Sequence, residues 1–114
     1  MFGKLEADVD CTDLDFMKKY EDLTVKMATD MRQIPMQGKQ SDVIMAKCKM
    51  VFWYFESLFG RGAAKKLFGA KTNMRVCDEA MLSLAQAVQQ DNLDYAQETM
   101  EKTDKIVSGN ESAK

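Results

Sequence analysis

Residues 51–76, VFWYFESLFGRGAAKKLFGAKTNMRV, decide how this chain folds. Six aromatic side chains fall here, Phe52, Trp53, Tyr54, Phe55, Phe59 and Phe68, each able to remove a large apolar area from water. A core should condense around them. The tripeptide Leu-Phe-Gly occurs twice, at Leu58–Gly60 and Leu67–Gly69, so each aromatic pair is followed by a residue suited to a left-handed helix stop. The spacing predicts a helix, a stop, one or two further turns of helix, and a second stop.

Outward from this stretch the helical pattern continues in both directions. Upstream, Val43, Ile44, Cys48, Val51, Phe52, Phe55 and Phe59 recur at three- and four-residue steps, giving a helix from Ser41 or Asp42 to Gly60. Before it, Thr12 or Asp13 can cap a helix that runs to about Arg32 and carries Phe16, Met17, Tyr20, Leu23, Met27 and Met31. Ile34-Pro35 ends that helix, because proline disfavours helical geometry in the residue before it. Downstream, Thr72 or Asn73 caps a helix reaching about Gln90, and Asp91 can cap a further one to about Val107 unless the two are continuous. Residues 1–12 alternate apolar and charged and read equally as a short strand or an irregular acidic arm. Ser108 to Lys114 has nothing to bury and is expected to be a disordered tail. The expected fold is all-α, a single domain over residues 1–107 forming a small bundle of four to five helices, with or without an N-terminal strand.

Composition narrows the function. One domain fits 114 residues, and no stretch approaches the roughly 20 apolar residues of a membrane span. The acidic start, MFGKLEADVD, lacks the basic end and apolar run of a secretory signal, so the expected location is cytoplasmic. Three widely separated cysteines, Cys11, Cys48 and Cys77, and no histidine offer neither a zinc site nor a Cys-His nucleophile pair. This argues against an enzyme and calls for no metal and no cofactor. The net charge of −2 hides an asymmetry: residues 1–30 carry −4, residues 31–77 carry +7 and residues 78–114 carry −5. Acidic flanks folded over a basic centre are the favoured reading, ahead of a surface that meets an acidic partner.

Three constellations remain. GRGAAKK, Gly60–Lys66, has the residues of a phosphate loop but not its spacing, and it follows a helix rather than a strand. Arg61, Lys65, Lys66, Lys71 and Arg75, beside Trp53 and Tyr54, could form a patch for an anionic partner such as nucleic acid. Ten methionines are many for this length. Most should fill the core, while Met36, Met45 and Met50 near helix edges could line a groove for a partner.

The pattern F-x-x-L-F-G-x-G-x-x-K-x-x-F-G, carried by Phe55, Leu58, Phe59, Gly60, Gly62, Lys65, Phe68 and Gly69, is followed by Asn73 and Val76-Cys77. Together with DLDFMKKYE at Asp13–Glu21, it resembles the small tail assembly chaperone-like proteins of phages and prophages of Gram-positive bacteria. The resemblance spans roughly residues 5–90. It implies a non-enzymatic protein in the bacterial cytoplasm that coats apolar helical segments of a tape-measure protein and recruits tail-tube subunits. Met50, Trp53, Tyr54 and Phe59 are the expected partner-facing residues, and self-association stays open. The competing readings are a small nucleic-acid-binding phage protein and a phage-encoded inhibitor of a host protein.

Overall fold

A computed structural model describes residues 9–35 and 37–112, with side chains described through residue 109. It contains four helices, α1 (Leu14–Arg32), α2 (Gln40–Phe59), α3 (Ala63–Phe68) and α4 (Met74–Ser112), and no strand among the described residues. The all-α expectation holds. Residues 1–8 of the strand-or-arm segment lie outside the described residues, and Asp10–Asp13 form a turn into α1.

The helix ends follow from local chemistry. The Asp13 carboxylate caps α1 by accepting from the Phe16 amide at 2.9 Å. Asn73 caps α4 in the same way, its side-chain oxygen accepting from the Val76 amide at 3.1 Å. Helix α2 stops at Gly60, whose φ of +104° is strained for any residue with a Cβ. Gly62, at φ +90°, then starts α3. Glu56 braces this turn twice: its carbonyl accepts from the Gly60 amide at 2.9 Å, and its carboxylate accepts from the Ala63 amide at 3.2 Å.

Helix α2 is the centre of the bundle and packs against each of the other three. Its buried stripe, Val51, Tyr54, Phe55 and Leu58, has the i, i+3, i+4, i+7 spacing of one helix face. Phe55 is fully buried, in edge contact with Tyr54 and Phe68 and stacked on Phe59. The rest of this core comes from Phe68 of α3 and from Cys77, Leu84 and Val88 of α4. Tyr54 is also fully buried, and its hydroxyl is satisfied. The Thr24 hydroxyl donates to the Tyr20 carbonyl at 2.6 Å, which leaves Thr24 to accept from the Tyr54 hydroxyl at 2.9 Å. This bond ties α1 to α2.

Burial sets the titration of Cys77. Desolvation, with the adjacent Cys48 thiol adding to it, pushes its pKa from 9.0 up to about 12. Burial also raises Tyr54 above its usual value of 10.0. In the unfolded chain the Cys77 thiol ionises near pH 9, whereas in the fold it keeps its proton to about 12. The unfolded state therefore binds fewer protons in this window, and stability falls as pH rises through it while remaining intact below pH 9. Urea midpoints measured from pH 8 to pH 11 should decline, and Cys77→Ala should flatten part of that decline. A profile that is flat in the native protein would contradict this burial.

The structure decides one open alternative and corrects one expectation. No break occurs at Asp91, and α4 runs unbroken for 39 residues, about 58 Å of helix. Asp91 does not cap a new helix because its carboxylate is engaged elsewhere, accepting from the Cys11 amide at 2.7 Å. The helix also continues through Ser108–Ser112, where a tail is expected from the sequence. A single glycine, Gly109, costs a helix only about 1 kcal/mol relative to alanine and does not end it. The consequence is an elongated molecule, 74 Å in its longest dimension. Its radius of gyration is 19.1 Å, against about 13 Å for a globular chain of this length.

Candidate partner-binding surface

Helices α1 and α4 flank α2 and leave a groove between them. It encloses about 410 Å³ and is lined by Met27 and Met31 of α1, Lys47 and Val51 of α2, and Met81 of α4. Arg32 and Asp78 complete its lining. Three half-buried methionines therefore supply most of its apolar lining, and the cations Lys47 and Arg32 line it together with the acid Asp78. Methionine's unbranched thioether adapts to differently shaped apolar side chains at small cost.

A second concavity of about 330 Å³ lies between α1 and α2. Lys26, Asp30, Lys49, Met50 and Trp53 line it. Trp53 is 40% exposed. The Lys26 ammonium, held by Asp30 at 3.1 Å, sits 5.6 Å from the centre of the indole ring. The pair is a surface cation–π contact worth about 0.5–1 kcal/mol.

The four residues expected to face a partner thus separate. Met50 and Trp53 are brought together at the surface. Tyr54 is not partner-facing: one position further along the helix, it belongs to the buried stripe and hydrogen-bonds to Thr24. Phe59 is half-buried at the end of α2, against Phe55 and the Phe16 ring of α1. Of the edge methionines, Met45 is exposed, and Met36 lies outside the described residues.

Arg61, Lys65, Lys66, Lys71 and Arg75 are on α3, the turns beside it and the first turn of α4, with Lys65, Lys66, Lys71 and Arg75 exposed and Arg61 at the turn that follows α2. The single ion pair found among the described residues is Lys26–Asp30, inside α1. Among the described residues no ion pair joins an acidic flank to the basic centre, although α1 and α4 pack against α2. The phosphate-loop reading of Gly60–Lys66 fails on local grounds, since α3 is a six-residue helix whose first amide is already taken by the Glu56 carboxylate.

A family model, Family of unknown function (DUF6673), matches residues 3–113. The chain belongs to the DUF6673 family. No curated protein and no solved structure matches it. The match runs through the whole of α1, α2, α3 and α4, so the groove and the Trp53 surface both lie within the DUF6673 region. Among the described residues, no helix of this DUF6673 chain is long and apolar enough to cross a membrane.

The groove is the feature that sequence reasoning misses. Met27, Met31 and Met81 read as core filling because their spacing matches their helices' apolar faces. The available signal is the i, i+4 placement of Met27 and Met31 on one side of α1, which sets two flexible side chains in one row. That Met81 of α4 joins them in one lining is a tertiary fact.

Proposed function

We propose that this protein is a phage tail assembly chaperone-like binding protein. In this reading it covers an apolar helical segment of a tape-measure protein before the tail tube polymerises, and it brings tail-tube subunits to that segment. It works without catalysis or cofactor, in the bacterial cytoplasm.

The observation that carries this reading is the methionine-lined groove between α1 and α4. A helix laid there would be flanked by the half-buried Met27, Met31 and Met81 and complete a four-helix arrangement with α1, α2 and α4. The lining cations Arg32 and Lys47 outnumber the one lining acid, Asp78, and favour a partner whose apolar stripe is bordered by acids. Met50 and Trp53 of α2, in the second concavity, offer a smaller second contact.

The test is co-purification with the tape-measure and tail-tube proteins encoded beside this one, at low and at high salt. Burial of apolar surface predicts capture that survives high salt. Capture lost at high salt would instead place the contact on the cations Arg61, Lys65, Lys66, Lys71 and Arg75, as expected for an anionic partner such as nucleic acid. Absence of capture at either salt would overturn the reading in favour of a host-protein target.

A further inference from the structure

Positive charge gathers on α3 and the turns that join it to its neighbours. Residues 57–77 hold five cations, Arg61, Lys65, Lys66, Lys71 and Arg75, and no acid. All five are exposed, and none joins an ion pair among the described residues. At about 100° per residue, Ala63, Ala64, Leu67 and Phe68 share the side of α3 that holds its two buried residues, Ala63 and Phe68, while Lys65 and Lys66 fall together on the opposite side. On α4, Arg75 falls opposite the buried Cys77, Leu84 and Val88 by the same count. Of the two acids that bound this stretch, Glu56 gives its carboxylate to the Ala63 amide at 3.2 Å and Asp78 lines the groove. The backbone is open as well, with nothing within 4 Å of the place a Cβ would take at Gly60, Gly62 or Gly69.

The exposed side chains say which anionic partner fits. A protein partner is held by apolar or aromatic anchors at the centre of the contact, where lysine is depleted. This stretch has little of that kind to give: Phe68 is buried, Phe59 is half-buried, and Val76, 41% exposed, is the one large apolar side chain it exposes. A nucleic-acid single strand is held by exposed rings on which its bases stack, and the stretch exposes no ring. Contact with the phosphates of a duplex needs only cations and small polar groups, and here exposed Thr72 adds a hydroxyl to the five cations.

We propose that the outer side of α3 and its two flanking turns form a second interaction surface, which holds the phosphate backbone of a nucleic-acid duplex without reading its sequence. Lys65 and Lys66 are its centre, with Arg61 before them in the chain and Lys71 and Arg75 after them. The methionine groove is lined from α1, α2 and α4 and uses none of these five residues. This proposal therefore does not depend on what the groove binds.

The test follows the fluorescence anisotropy of a short labelled DNA duplex as the full chain is titrated in. Affinity should fall by about 40- to 500-fold between about 50 mM and 200 mM salt, the loss expected for about three to five neutralised phosphates. Lys65→Glu combined with Lys66→Glu should bind at least about tenfold more weakly at low salt and show a flatter salt dependence. Far-UV circular dichroism and the thermal midpoint of this variant should stay close to native, because both side chains are exposed. Met31→Asp combined with Met81→Asp should bind the duplex as the native chain does. Failure of the native chain to bind duplex at low salt would overturn the proposal, as would binding that the two lysine reversals leave unchanged. A single strand bound more tightly than the duplex would overturn it too, since that preference needs a stacking surface. Polyglutamate bound as tightly as the duplex would assign the surface to an acidic protein instead.

Discussion

Phe55→Ala should lower stability by about 3–5 kcal/mol, the usual cost of truncating a buried phenylalanine, and leave the chain largely unfolded at 37 °C. Domains of this size have about 5–15 kcal/mol in total, most often toward the lower end. Phe55 has no exposed surface and touches three other rings, so neither α1 nor α3 can close the gap without moving the residues that hold them to α2. Two positions earlier on the same helix, Trp53→Ala removes a ring of similar bulk that is 40% exposed. It should cost about 1 kcal/mol, the lost part being the Lys26 contact and half-covered packing against α1. Urea unfolding followed by circular dichroism compares the two directly. Equal losses would mean that the division of this aromatic run into core and surface is wrong.

Met31→Asp combined with Met81→Asp should reduce capture of a tape-measure helix by at least about 100-fold, or roughly 3 kcal/mol. The two side chains line the groove from α1 and from α4, so a partner seated there would have to cover two unpaired carboxylates. Neither position is fully buried in the free protein, so the fold should survive, with a thermal midpoint reduced by only a few degrees. Met31→Leu with Met81→Leu is the control: it keeps the apolar lining and should bind within a few-fold of the native protein. Undiminished capture by the aspartate pair would place the contact elsewhere, with Met50 and Trp53 the next surface to test.

Most of the fold is written in local chemistry, which explains why so much of it can be read from residues alone. Asp13, Pro35, Gly60, Gly69 and Asn73 each act on the few peptide groups beside them, and helix ends follow. The continuity of α4 is harder because Asp91 has two uses for its carboxylate, and only the fold shows that the Cys11 amide, 80 positions away, takes it. Tyr54 illustrates a related ambiguity. A tyrosine beside a tryptophan suggests an amphipathic surface pair, but Val51, Tyr54, Phe55 and Leu58 are the positions that share a helix face, and a hydroxyl can be buried once Thr24 accepts from it. The methionine groove is the least legible part. Its three methionines lie on two helices that are not adjacent in sequence, and helical periodicity reports which side of a helix is apolar, not whether a neighbour covers it.

The methionines of α1, α2 and α4 offer the most direct test of the account, because their methyl groups are native probes within these helices. With methyl-labelled methionine, the proton–carbon spectrum would be followed while a helical tape-measure peptide is titrated in. The account predicts that the methyl signals of Met27, Met31 and Met81 shift together and saturate at one peptide per chain, while exposed Met45 stays in place. Shifts confined to Met50, or no methyl shift at saturating peptide, would contradict the claim that the groove between α1 and α4 holds the partner.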